Sequence, residues 1–315
     1  MATVTASAPG RRRRTPLARR EARWAYLFLA PWIIGFLIFY AGPMVASLWL
    51  SFTDYDVINP PEYTGLANYR ELMSDPAVAR SLGNTVYYTA LHVPLVMLIS
   101  LGLALLLKRV GRLQGFFRTV FYLPVMTPAV AVGILFLLLL NTQDGLINRA
   151  LGWVGIAGPS WTTDPHWVMP GIILMSLWSL GSTVIIYLAA LQNVPRDLYE
   201  AAAIDGAGAW ARFRAVTLPM ISGALFFTLI VNTIASLQMF TEVYTMYFGN
   251  RETQNSFNSD AASFYVIHLF QEAFQFLHMG FASAMAWLLF VIILIITLMQ
   301  VKLSNRFVYY EGEDK

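Results

Sequence analysis

Side chains able to do covalent or metal chemistry are few and scattered in this sequence. Four histidines, His92, His166, His268 and His278, form no HxxxH or HxH pair, and cysteine is absent. Zinc–thiolate sites, iron–sulfur clusters and disulfides are therefore excluded. No GxxxxGK[ST] run is present, so the chain encodes no phosphate-cradling loop of that kind. Two other groups of residues remain. One is the segment EAAAIDGAGAWARFRAVTLP, residues 200–219, where acidic, small and aromatic side chains lie between long apolar runs. The other is a set of polar side chains inside those runs: Asn84, Tyr88, Ser179, Asn232, Ser236 and Gln238, with Tyr87, His92, Ser176, Ser182 and Thr183 also qualifying by type. Their chemistry is hydrogen bonding, either to a polar ligand or between helices of a bundle. Asn232 and Ser236 are one helical turn apart and share a face.

The elements that carry these residues are membrane spans. The chain has 315 residues, 57% hydrophobic and 12% charged, with a mean hydropathy of +0.57. A soluble domain carries about 25% charged residues. Six segments reach the roughly 20 apolar residues that cross a bilayer: 24–50, 84–107, 120–140, 167–191, 218–240 and 277–300. The first is too long for a cleaved signal sequence, and its Pro31 and Pro43 favour bends. With the N-terminus inside, seventeen of the 21 Lys and Arg residues fall in segments on the inner side, and only Arg70, Arg80, Arg149 and Arg251 fall outside. This charge bias predicts cytoplasmic N- and C-termini. The run RRRR at 11–14 reads as a topology anchor beside the first span rather than a nucleic-acid tag, and no continuous basic stripe suggests nucleic acid. The expected fold is an all-α integral membrane protein. Its predicted division is a basic cytoplasmic tail at 1–23, a six-span domain at 24–307 with a cytoplasmic loop at 192–217, and a tail at 308–315.

No charged residue falls within the six cores as drawn, which weakens an ion-coupled mechanism. On the outer side, ANYRELMSD predicts a short amphipathic helix, and NTQDGLINRALGW a turn followed by a helix. A polar centre, RETQNSFNSD, lies within 241–276. These segments could receive a partner or pack as simple loops. In the cytoplasmic loop, Pro195 suits the first turn of a helix, Gly206 and Gly208 interrupt it, and AWARFRAV resumes helical spacing. Two short helices with a small-residue turn are predicted. They could dock another protein closely, or pack against their own bundle.

The pattern of this loop is more specific than its composition. The run Glu200-Ala-Ala-Ala-Ile-Asp-Gly206, followed by Val216-Thr-Leu-Pro219, resembles the EAA loop of permease subunits of binding-protein-dependent ABC importers. Val216 stands where the family pattern has isoleucine. The extended form, with Asp205, Ala207 and a downstream Phe213, looks like the carbohydrate-uptake branch. LANYRELMSDPAVARSLGNTVYYT and FRTVFYLPVMTPAVAVGILFLLLLNTQDGLIN are similar to the same branch, and the MalF-like or glycerol-phosphate-permease-like six-span subunit is the nearest type. The likeness implies an ABC importer type I permease fold in the bacterial plasma membrane. It also implies a second homologous permease, two copies of a cytoplasmic ATPase and an extracytoplasmic solute-binding protein. ATP and Mg would belong to the partner ATPase, with no cofactor and no catalytic or metal site on this chain. Glu200, Ala201, Ala202, Asp205, Gly206, Ala207, Phe213 and Pro219 would form the ATPase-coupling loop. Asn84, Tyr88, Ser179, Asn232, Ser236 and Gln238 would be the possible substrate path. A sugar or oligosaccharide is the implied solute, and glycerol phosphate or another small polar solute is the alternative. A membrane enzyme or a non-transporting scaffold explains the helices but gives no reason for an EAA loop in register.

Overall fold

The computed structural model describes residues 16–249 and 260–307. The RRRR run, the tail 308–315 and all of RETQNSFNSD but Asp260 lie outside the described residues. Among those described, four helical segments are each long and apolar enough to cross a membrane on their own: Arg23–Leu50, Pro76–Arg109, Ser222–Tyr247 and Met279–Ser304. Two further pairs are bent, Gly111–Met126 with Ala129–Leu139 by 96° and Pro165–Ser179 with Gly181–Gln192 by 51°, and they complete six spans if each is one. An antiparallel ribbon, β1 (Thr53–Asp54) with β2 (Glu62–Tyr63), lies in the first loop.

Proline chemistry explains the breaks of the first and third spans and the starts of the second and fourth. The first span joins α1 (Pro16–Phe36) to α2 (Gly42–Leu50) through a π turn, Leu37–Ala41. Pro43 has no N–H to give to the preceding turn, and the Gly42 N–H instead reaches back to the Leu37 carbonyl. After the short helix α3 (Ala67–Ser74), the second span begins earlier than its apolar core, as α4 (Pro76–Arg109). Asp75 caps it by accepting from the Ala77 N–H, and Pro76 fills the first helical position. In the third span, α5 (Gln114–Tyr122) and α6 (Ala129–Leu139) are separated at Thr127-Pro128, where the chain turns extended. The short helix α7 (Leu146–Trp153) follows the turn in which Asn141 Oδ1 accepts from the Gln143 and Asp144 N–H groups.

The fourth span is α8 (Pro165–Ser176), a 3-10 turn (Leu177–Ser179) and α9 (Gly181–Gln192). The segment between the fourth and fifth spans forms α10 (Arg196–Ile204) and α11 (Ala209–Arg212), then a π turn, Phe213–Thr217, and the short α12 (Leu218–Met220). The fifth span is α13 (Ser222–Leu237) continued by α14 (Thr241–Tyr247). After α15 (Tyr265–Phe270), the sixth is α16 (Met279–Phe307).

Three buried clusters hold the bundle. One joins α4, α6, α8 and α14 through Tyr88, Phe136, Ile172, Met175 and Tyr247. A second joins α4, α9 and the entrance of α13 through Ala104, Leu107, Tyr187, Leu191 and Ile221. The third packs α3, α4 and α15 on α16 through Leu72, Val78, Tyr265 and Met285. In hydrocarbon, close packing and interhelical hydrogen bonds replace hydrophobic burial as the driving force. The buried Tyr187–Thr228 hydroxyl pair, 2.6 Å apart, is such a bond between α9 and α13.

Candidate functional site

Where α4, α8, α9 and α13 face one another, they leave a polar cavity of about 190 Å³. Tyr88 and His92 enter it from one face of α4, stacked with ring centroids 4.9 Å apart. Ser176 and Ser179 come from the bend of the fourth span, Ser182 and Thr183 from α9, and Asn232 and Ser236 from α13. The bend has a structural consequence. It turns the end of α8 and the start of α9 so that both present hydroxyls to the same space.

The hydrogen-bond inventory separates groups used by the bundle from groups left for a ligand. Thr228 and Thr233 bond back to carbonyls of their own helix. Ser176 Oγ donates to the Ile173 carbonyl at 2.7 Å and lies 2.7 Å from His92 Nδ1. A serine has one proton to donate. If it goes to Ile173, His92 carries its proton on Nδ1 and offers Nε2 as an acceptor. Asn232 donates through Nδ2 to the Thr228 carbonyl, which leaves Oδ1 to accept from elsewhere. Ser236 Oγ is buried without a partner.

Glu242, on α14, also lines the cavity. Among the described residues its carboxylate has no hydrogen-bond or ion-pair partner, and no Lys or Arg lines this space. Sequence reasoning missed it because the fifth apolar core was ended at residue 240, two residues before it. The continuing helix Thr241–Tyr247, apolar except for its hydroxyls and this one carboxylate, was the available signal. Gly133 lets α6 approach α14 closely. A Cβ there would meet the Glu242 carbonyl oxygen at 2.7 Å and Thr245 Cβ at 2.9 Å, so the glycine fixes where Glu242 stands.

Of the predicted path residues, the fold brings together Tyr88, Ser179, Asn232 and Ser236. Asn84 and Gln238 are elsewhere. Asn84 Nδ2 donates to the Asp260 and Ser263 carbonyls, both at 3.0 Å, and ties α4 to the loop before α15. Gln238 is exposed at the C-terminal end of α13.

The predicted loop residues form one structure. The C-terminus of α10 closes with the Gly206 N–H on the Ala203 carbonyl and the Ala207 N–H on the Ala202 carbonyl. This pair of bonds requires a left-handed residue after the cap, and Gly206 supplies it with φ +78°. Glu200, Ala201, Asp205 and Gly206 are exposed, with Ala202 and Ala207 half-buried beside them. Ile204 at the tip is 87% exposed. The base of the loop is held. Tyr199 OH lies 3.0 Å from Thr217 Oγ1, Lys108 Nζ sits 5.1 Å from the centre of the Tyr199 ring, and the same ammonium donates to the Leu191 carbonyl. Half-buried Phe213 stacks on Trp210, and half-buried Pro219 stands in α12 at the head of the fifth span. The result is a rigid stalk with a small, apolar, acceptor-bearing tip. Among the described residues, no group of three or more His, Cys, Asp or Glu is placed to hold a metal ion.

Comparison with known proteins agrees over most of the chain. Residues 97–309 match the family described as binding-protein-dependent transport system inner membrane component. The probable ABC transporter permease protein YesP of Bacillus subtilis is 38% identical over 94% of this chain and 95% of its own length. The lactose transport system permease protein LacF of Rhizobium radiobacter is 35% identical, over 87% and 92%. A chain of a bacterial alginate ABC transporter, solved with an alginate pentasaccharide-bound periplasmic protein, superposes with a TM-score of 0.81 at 25% identity, over 93% of this chain and 98% of that one. These matches fix the architecture as the type I fold of ABC importer permeases, and the location as multi-pass in the bacterial inner membrane. The chain belongs to the inner membrane components of binding-protein-dependent ABC transport systems.

Proposed function

We propose that this permease forms one half of the pathway by which an ATP-driven importer takes up a sugar or oligosaccharide. The observation that carries the reading is the polar cavity between α4, α8, α9 and α13. Its free groups are mainly acceptors: Asn232 Oδ1, the Glu242 carboxylate and Ser236 Oγ. A solute rich in hydroxyl donors satisfies them. The alternative, glycerol phosphate, fits less well. A phosphate would meet a carboxylate and no cation among the described residues. Relatives named for lactose and alginate transport support the carbohydrate class, and a MalF-like or glycerol-phosphate-permease-like subunit is the type proposed. A cavity of about 190 Å³ is smaller than the roughly 300–1,000 Å³ of a complete small-molecule site. A second, homologous permease supplies the facing wall.

The loop at 192–217 is the coupling element, with Glu200–Ala207 docking in a groove of the ATPase, two copies of which hold the ATP and Mg. The N-terminal tail and the loop then face the cytoplasm, and an extracytoplasmic binding protein delivers the solute to the other side. The stalk suits this task. Its tip is exposed and its base is bonded to α4, α9 and the head of the fifth span, so a displacement of the tip moves spans that line the cavity. The chain itself performs no catalysis.

The test is copurification from native membranes in mild detergent, comparing the natural chain with Glu200→Arg. The natural chain should bring down an ATPase and a second six-span subunit, and the variant should lose most of the ATPase while keeping the second permease. Copurified binding protein, screened against mono- and oligosaccharides, identifies the solute. A natural complex that contains no ATPase under several mild conditions refutes the importer reading.

A further inference from the structure

A second cleft, of about 820 Å³, lies at the base of the stalk, between the end of α4 and α11. Its basic groups are Lys108 and Arg109 at the end of α4 and Arg212 on α11. Among the described residues no Asp or Glu lines it, and none of the ion pairs involves these three cations. Lys108 is partly engaged by the Leu191 carbonyl and the Tyr199 ring. Arg109 and Arg212 have no partner among the described residues, and the Nε of Arg212 is buried with its hydrogen bond unmade. A buried guanidinium N–H without an acceptor is costly. An anion held by the terminal N–H groups of the same guanidinium offsets that cost.

We propose that this cleft binds the headgroup of an anionic phospholipid, with the phosphodiester held between Arg109 and Arg212. Three features favour a lipid over an acidic protein surface. First, the cleft lies where α4 and α9 end, so it sits at the level at which spans leave the bilayer. Second, Leu105, Leu191 and Phe213 give it an apolar wall beside the cations, which matches an amphiphile and is wasted on a purely charged partner. Third, the exposed loop tip, Glu200–Ala207, contributes nothing to its lining, so a protein seated on the tip leaves the cleft open. Trp210, 72% exposed at its rim, is a side chain of the kind that settles among headgroups. A lipid held here would brace the stalk against the spans that it moves. The proposal depends on the importer reading only for the choice of the cytoplasmic leaflet.

The experiment uses the whole complex purified from native membranes, titrated with phosphatidylglycerol or phosphatidylcholine and read by native mass spectrometry as retained lipid. Phosphatidylglycerol should be retained preferentially. Each Arg→Gln change, Arg109→Gln or Arg212→Gln, should lower its retention on the order of fivefold, the effect of one surface cation on an anionic lipid. Arg212→Lys should keep most of the preference. Arg109 is exposed, so its substitution tests the site even if Arg212→Gln fails to assemble. Equal retention of the two lipids by the natural complex, or an undiminished preference in Arg109→Gln, overturns the proposal. So does displacement of phosphatidylglycerol by millimolar inorganic phosphate, which would make the site one for a free anion. Loss of the ATPase from either variant with lipid retention unchanged would assign the cations to a protein interface instead. A natural complex without any ATPase would count against the importer reading and leave the lipid result standing.

Discussion

At the scale of single residues, the cavity distinguishes polar side chains that look alike in the sequence. Asn84, Asn232 and Gln238 are all amides in or beside apolar runs. Of the three, Asn232 alone lines the cavity, and its oxygen is left unspent while its N–H group serves the Thr228 carbonyl. Asn84 spends its amide on two loop carbonyls, and Gln238 is exposed at a helix end. Asn232→Ala should therefore lower uptake of the solute, on the order of threefold to tenfold for one lost hydrogen bond, with assembly of the complex unchanged. Gln238→Ala should leave uptake as it is. Transport into proteoliposomes measures both, and the reverse order of effects would show that the path runs elsewhere. Side-chain type and helical spacing made Asn232 and Ser236 legible in the sequence as a pair on one face. They could not show which amides were already spent, since that depends on loops distant in the chain. Glu242 was hidden for a different reason. Its charge made the apolar core seem to end, while the helix and the cavity both continue past it.

At the scale of elements, hydropathy located the spans and capping set their ends. The second span was expected from residue 84, where the apolar run begins, yet α4 starts at Pro76. The Asp75-Pro76 pair is a start signal that outweighs the polarity of the next turns. Asp75→Ala should cost about 1 kcal/mol, visible as a lower melting temperature of the detergent-solubilised chain. If Asp75→Ala melts like the natural chain, the cap contributes nothing. The fourth span opens in the same way, at Asp164-Pro165. There the His166 backbone N–H, and then its ring, hold the Asp164 carboxyl below the usual carboxylate range. A depressed value means that folding favours the ionised form. The cap thus acts at neutral pH and is lost as pH falls through the folded-state value. Acid should loosen the start of α8, seen as faster amide exchange there, and Asp164→Asn should make that exchange indifferent to pH in the acid range. The bends of the third and fourth spans were less legible. Pro128 and Pro170 were present in the sequence, but one marks a break of 96° and the other lies inside a continuing helix. Packing against neighbours decides which proline interrupts a span.

At the scale of the whole molecule, the distribution of charge and the absence of cysteine allow a direct test of orientation. Seventeen of 21 basic residues fall on one proposed side, and the chain offers no background thiol. A single cysteine placed at an exposed position therefore reports one location. Met73 in α3 is 83% exposed in the first loop, and Ile204 is 87% exposed at the tip of the stalk. With the N-terminus inside, Met73→Cys should react with a membrane-impermeant maleimide in spheroplasts, and Ile204→Cys should react only after the membrane is opened. Labelling of both from outside would overturn the charge-based topology. The Ile204→Cys chain also tests coupling. In opened membranes the thiol should be protected when the ATPase is bound and reactive when the ATPase is stripped away. The stalk is anchored at its base by Tyr199, Lys108 and Thr217, so its tip has no place in its own bundle in which to hide. Protection must come from another chain. If reactivity is the same with and without the ATPase, the tip is not the contact, and Glu200–Ala207 lose their assignment even in a complex that transports.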